Sequence, residues 1–175
     1  MKQEQEFKYC PRCGNNNFIQ KSKKEYLCEN CKFDFFTNSA AAVVAIIKDK
    51  EGRIMLTKRA FNPWKGMLDL PGGFVDPDES AEDALKREIK EELGVNILSA
   101  KYICSFPNVY PYSGINVKTT DLGFLVEIEN IEKIHPEDDV AGILWKKPKD
   151  VDIEQIPSIS IKNFVLKCRE LFEEK

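Results

Sequence analysis

Residues 80–93, "SAEDALKREIKEEL", open with a serine ahead of an acidic turn, and Gly94 follows as a stop; together these signals predict a helix. At about 100° per residue, Ala84, Leu85 and Ile89 gather on one face, and Asp83, Lys86 and Lys90 on the other. Glu88 and Glu92 fall within the apolar face, with Glu91 at its flank. Abundant glutamate near a helix end accounts for Glu82 and Glu91, but not for these two. Glu88, Glu91 and Glu92 are related by i,i+3 and i,i+4, so their carboxylates are expected to converge. Converging carboxylates repel one another and resist desolvation unless a cation joins them. A hard divalent ion such as Mg²⁺ resolves the conflict, because it takes oxygen ligands.

The preceding loop, "LPGGFVDPDES", adds to that expectation. Adjacent glycines let backbone approach a ligand closely, and the Gly73 carbonyl can face a metal. Glu79 stands just before the helix, close enough to add a carboxylate or to hold Arg87. Arg87 can neutralise one carboxylate, not three.

Cys10, Cys13, Cys28 and Cys31 form the spacing C-x2-C-x14-C-x2-C, while Cys104 and Cys168 lie far off among apolar neighbours. Two C-x2-C turns supply four thiolates to one tetrahedral ion, predicting structural Zn²⁺ with no open coordination position. So short a segment rarely builds a core without such a staple. The stretch between the pairs reads as a small hairpin bending at Lys21-Ser22-Lys23-Lys24. The expected domains are a zinc ribbon over 1–36 and a larger domain over 37–175.

Charge and hydropathy exclude some classes. A net charge of −3 argues against a protein built mainly for non-specific nucleic-acid binding. The longest apolar run, residues 40–47, is too short to span a bilayer, and the N-terminus lacks a secretory apolar region. A cytoplasmic location is expected. Residues 40–47 predict a buried strand, "DKEGR" a hairpin turn and "IMLTKR" its partner. "AKYICSF", "TTDLGFLVEIE" and "GILWKK" predict further strands, and 159–173 a terminal helix. The lone histidine, His135, precedes Pro136 and reads as a surface loop residue.

Gly73 to Val95 resembles the Nudix box, G-x5-E-x7-R-E-U-x-E-E-x-G-U, where U is a bulky apolar residue. Gly73, Glu79, Arg87, Glu88, Ile89, Glu91, Glu92, Gly94 and Val95 fill every defined position. The flanking "TKR" and "W…LPGG" segments are also similar to the family, and the likeness runs over roughly residues 9–172. It implies an α/β fold, a Nudix α/β/α sandwich with a mixed sheet behind the ribbon. It also implies hydrolysis of a nucleoside diphosphate linked to another moiety, with Mg²⁺ or Mn²⁺. By that resemblance Glu88, Glu91 and Glu92 are metal ligands, Gly73 and Glu79 lie beside them, Arg87 orients a carboxylate, and Arg59 contacts substrate.

A ribbon ahead of such a domain resembles the NADH pyrophosphatase branch, whose signature S-Q-P-W-P-F-P-x-S follows the box after ten residues. Here that interval leads to "SFPNVYPYS". Ser105, Pro107, Pro111 and Ser113 match and Tyr110 keeps an aromatic, while Phe106, Asn108 and Val109 depart from the signature. Phe106, Tyr110 and Tyr112 offer surfaces on which a base could stack, in a loop stiffened by prolines, or else form an aromatic cluster at the core's edge. Counting back six residues from Trp145 puts Asp139 where the branch carries a metal-binding glutamate, with Glu137 and Asp138 adjacent. The implied substrate is a small nucleotide of NADH, NAD or ADP-ribose type, releasing a nucleoside monophosphate. NAD-capped RNA, and a non-catalytic binding protein on the same scaffold, stand as alternatives. No membrane partner is expected; contact with RNA and a homodimer are left open.

Overall fold

The computed structural model describes residues 7–173 and divides into two compact units between Ser39 and Ala40. In the first unit, β1 (Phe18–Gln20), β2 (Glu25–Cys28) and β3 (Asp34–Phe36) pair antiparallel in that order. Residues 21–24 make the expected bend, closed where Lys21 N–H donates to the Glu25 carbonyl at 2.8 Å. The residues after Cys31 supply the third strand. The reason is aromatic burial: Phe33 and Phe35 complete a core of Cys10, Phe18, Tyr26 and Cys28. Each cysteine knuckle ends on a left-handed residue, Gly14 (φ 71°) and Lys32 (φ 59°), whose N–H returns to the carbonyl of Cys10 or Cys28.

The second unit is a layered α/β structure. Its strands are β4 (Ala40–Ile47), β5 (Ile54–Arg59), β6 (Leu68–Asp69), β7 (Ile97–Tyr112), β8 (Ile115–Ile128) and β9 (Val140–Lys146); α1 (Ala81–Leu93) lies between β6 and β7, and α2 (Ile159–Glu173) ends the unit. One sheet runs β4-β8-β7, with β4 parallel and β7 antiparallel to β8, and the other runs β6-β5-β9. The apolar run of β4 is continuous because both of its faces are covered. Val44 and Ile46 join Ile161, Phe164, Val165 and Cys168 of α2, whereas Val43, Ala45 and Ile47 join Ala84, Leu85, Ile89 and Leu93 of α1. Strand β5 divides likewise, with Ile54 and Leu56 in the first core and Met55 in the second. Sheets packed between two helices are the α/β/α arrangement with a mixed sheet that the resemblance implied.

Two local expectations fail. The expected turn at 49–53 forms, with Asp49 N–H on the Arg53 carbonyl and an antiparallel Lys48–Ile54 bridge, but β4 and β5 then part into different sheets and pair no further. The cause is competition for the edges of β4. One edge is taken along its whole length by β8, and the other by the glycine loop, through Val43 N–H to Gly73 O, Ala45 N–H to Pro71 O and Val75 N–H to Ala41 O. Nor is "SFPNVYPYS" a loop: residues 105–112 continue β7, turning into β8 at Ser113 and Gly114. Pro107 and Pro111 are tolerated because β7 is an edge strand, which leaves one side free of ladder bonds.

Candidate active site

Helix α1 carries the carboxylates. Ser80 caps it by accepting the Asp83 N–H at 3.1 Å, and Gly94 closes it at φ 71° with its N–H on Lys90 O. The pitch fixed by those caps sets Glu92 on the buried face, 5% exposed, beside Leu85, Ile89 and Leu93. The polar partner of Glu92 is the loop, since Gly72 N–H donates to Oε2 at 3.0 Å. Burial, the negative charge of Asp139, and the nearby Glu88 and Asp69 push Glu92 well above the usual carboxylate range, against that one backbone bond.

Arg87 organises the remaining acids. It meets Glu79 with Nε and Nη2, Glu88 through Nη1 at 2.7 Å, Glu91 through Nη1 at 3.2 Å, and the Phe74 carbonyl through Nη2. Of the two roles open to Glu79, the structure shows it holding Arg87; its Oε2 also accepts the Asp76 N–H. Glu91 is exposed, whereas the Glu88 side chain is 16% exposed. A Cβ added at Gly73 would overlap the Glu88 carboxylate, so this glycine is the space in which that side chain lies. The Gly73 carbonyl already accepts the Val43 N–H at 2.8 Å, leaving its second lone pair. Glu88 and Glu91 meet on Arg87 while Glu92 turns to Gly72, so among the described residues the three box glutamates do not gather their oxygens within 4.8 Å as the cysteine thiols are gathered.

Asp139 reaches this site from another element. His135 N–H and Glu137 N–H bond the carbonyls of Leu93 and Glu92, which pins the acidic loop to the end of α1. Ala60 N–H donates to the Asp139 carbonyl at 2.7 Å. Thr57, Arg59, Asp69, Gly72, Glu92 and Asp139 line a small acidic pocket. His135 is exposed, as expected of a surface residue.

A second pocket adjoins it and shares Arg59, Asp69, Gly72 and Asp139. Its aromatic wall is Trp64, Phe74 and Tyr110, with Tyr110 edge-on to Trp64 at 5.6 Å and to Phe74 at 5.8 Å. Arg59 bridges the two pockets, giving Nη1 to Asp69 at 2.8 Å and Nη2 to the Tyr110 hydroxyl at 3.0 Å. Tyr112 is exposed and stacks on Tyr110 at 6.4 Å, outside the residues that line the pocket. Phe106 faces away from solvent onto Phe164 at 4.9 Å, at the edge of the α2 core. Sequence reasoning missed Trp64, Asp69, Phe74 and Asp121 as site residues. Asp121 carries a readable signal, a carboxylate set directly ahead of the apolar stretch Leu122–Val126.

In the ribbon, the four cysteine Sγ atoms lie within 4.8 Å of one another, and among the described residues they are the one group of metal-ligating type so gathered. Cys10 and Cys31 are 3.7 Å apart and Cys13 and Cys28 3.6 Å. A tetrahedral zinc with Zn–S near ~2.3 Å has S···S edges of about 3.8 Å, so the quartet suits that ion.

The NUDIX domain model matches residues 38–164. The chain belongs to the Nudix family. Two relatives named NAD-capped RNA hydrolase NudC are similar to this Nudix chain. The one from Vibrio parahaemolyticus serotype O3:K6 is 28% identical over 109 residues, covering 62% of this chain and 41% of that protein. The one from Escherichia coli O1:K1 / APEC is 24% identical over 170 residues, covering 95% and 63%. The chain thus spans about two fifths to three fifths of the length of these relatives. A Nudix hydrolase structure from Nitrosomonas europaea matches with a TM-score of 0.65 at 20% identity, covering 97% of this chain and 94% of that one. The Nudix domain of Shewanella oneidensis NrtR, solved with ADP ribose, matches at 0.58 and 22%, covering 78% and 90%. Both share the Nudix fold. No described helix is long and apolar enough to cross a membrane.

Proposed function

We propose that this chain is a divalent-metal-dependent pyrophosphohydrolase acting on an NAD- or ADP-ribose-type nucleotide and releasing a nucleoside monophosphate. One observation carries the reading: Glu92 is 5% exposed, is held by the Gly72 N–H, and lines one small pocket together with Asp69 and Asp139. A carboxylate held this way stays ionised only beside a cation, and an oxygen-only donor set suits Mg²⁺ or Mn²⁺. Glu88, Glu92 and Asp139 would hold the ion, with Glu91 and the Gly73 carbonyl at its margin. When bound, it supplies positive charge to the phosphoryl oxygens and acidifies the attacking water. Arg87, anchored on Glu79, keeps Glu88 and Glu91 oriented. Arg59 presents its charge where the acidic and aromatic pockets join, a position suited to the pyrophosphate linking two nucleotide halves. Tyr110, with Trp64 and Phe74, supplies the stacking wall for a base. Cys10, Cys13, Cys28 and Cys31 hold Zn²⁺ as the ribbon's structural staple. Domain limits of 1–36 and 37–175 and a cytoplasmic location belong to the same proposal.

The test is chromatographic detection of AMP from ADP-ribose, NADH and NAD⁺ with Mg²⁺ or Mn²⁺, with and without chelator. Turnover that stops with chelator and in Glu92→Gln supports the reading; metal-independent turnover, or none on any of the three, overturns it.

A capped RNA carries the same pyrophosphate, and the name of the NudC relatives favours it as a second substrate. Arg53, Lys146, Lys147 and Lys149 also border a surface depression with Trp145, a basic and aromatic combination suited to an RNA strand. If RNA lies there, Lys146→Ala with Lys147→Ala slows NAD-RNA but not NAD⁺ itself.

A further inference from the structure

The floor of the aromatic pocket is polar and buried in a way the proposed hydrolysis does not use. Asn108 of β7 stands opposite Thr119 of β8 in register, one step along the same face from Tyr110. Asn108, Thr119, Asp121 and Ser158 all line the pocket, and all are at least nine-tenths buried. Asp121 accepts the Thr119 hydroxyl at 2.5 Å and the Ser160 hydroxyl, while Ser158 and Ser160 lie 3.0 Å apart. These bonds hold the Asp121 carboxylate as a fixed acceptor. The Asn108 Oδ1 is different: it is buried with no hydrogen-bond partner among the described residues. An amide oxygen left so is destabilising until a donor reaches it.

Resting on the reading that this pocket takes a nucleotide, we infer that Asn108 is the specificity-determining residue that reads a flat ring carrying an amino group, its amide accepting from that N–H beside the fixed acceptor Asp121. An amide pairs well with an amino group next to a ring or carbonyl acceptor, the pattern of adenine N6 and N7. A nicotinamide carboxamide offers the same donor and acceptor. An oxo or carboxylate group in place of the amine would face Asn108 Oδ1 and Asp121 with no proton to give. Asn108 stands where the NADH pyrophosphatase signature has tryptophan, so in this chain an amide replaces a stacking ring.

Calorimetry of four mononucleotides with wild type and Asn108→Leu tests this, and no turnover is needed. AMP is compared with IMP, and nicotinamide mononucleotide with nicotinic acid mononucleotide. Wild type should favour the amino member of one pair by about tenfold, and Asn108→Leu should erase that preference. The pair that discriminates identifies the ring. Asn108→Asp, which keeps the volume and the acceptor, should retain the preference and serves if the leucine variant unfolds. Equal binding within both pairs, no binding of any of the four, or a preference surviving in Asn108→Leu would overturn the proposal. ADP-ribose turnover is scored separately: amine discrimination without turnover would overturn the hydrolase reading and leave this one standing.

Discussion

Arg87 and Glu79 meet at two points, Nε on Oε1 at 3.0 Å and Nη2 on Oε2 at 2.9 Å, and the same guanidinium then reaches Glu88 and Glu91. A planar fork is required for that geometry, and an ammonium cannot reproduce it. Arg87→Lys should lower kcat by about 10–100-fold, through misoriented Glu88, with a smaller change in KM. Steady-state kinetics on ADP-ribose would show the split. A KM effect alone would mean that Arg87 contacts substrate instead.

Glu92 predicts an inverted stability profile. Its value in the folded state lies above the ordinary one, so its favourable contribution is complete below about pH 4.3, the unfolded value, and is lost as pH rises through the raised value. Glu92→Gln stays neutral and can still accept the Gly72 N–H. In chelator at pH 8 it should melt roughly a few degrees above wild type, and the two should converge near pH 4. Added Mn²⁺ should raise the wild-type melting temperature more than the variant's. Identical melting across the pH range in chelator would remove the electrostatic burden assigned here to Glu92.

Gly73 and Gly142 make a matched pair. A Cβ at Gly73 overlaps the Glu88 carboxylate, while one at Gly142 meets nothing within 4 Å. Gly73→Ala should weaken Mn²⁺ binding on the order of tenfold, measured by paramagnetic resonance of the free ion. Gly142→Ala should leave it unchanged.

Cys28 is fully buried and its Sγ lies 3.6 Å from that of Cys13. Cys28→Ser should remove one of four thiolates, release zinc to a chromogenic chelator and unfold the ribbon core around Phe18 and Tyr26. Unchanged zinc content would exclude the four-thiolate site.

Much of this was legible where local rules act alone. The caps at Ser80 and Gly94, the buried run of β4 and the cysteine knuckles follow from propensity, periodicity and spacing. What escaped depends on partners distant in the chain. Nothing within residues 40–59 reveals that the outer edge of β4 is already bonded to the glycine loop, so a hairpin was the natural expectation. Helical spacing places Glu88 and Glu91 near Glu92, but their orientation depends on Arg87 and on Glu79 from the loop. Prolines at 107 and 111 suggest a loop until β7 is seen to be an edge. Trp64 and Phe74 enter the pocket only because Tyr110, three dozen residues or more along the chain, stands between them.

The glycine loop that presents Gly72 and Gly73 also closes the outer side of β4, through the bonds of Ala41, Val43 and Ala45. Were that loop to lift away, the exposed edge would belong to "AAAVVAII", an uncharged, wholly apolar segment of the kind that recruits other chains. Substitutions that loosen residues 71–75 would therefore threaten solubility before they threaten the fold, and aggregation during expression would be their first visible effect.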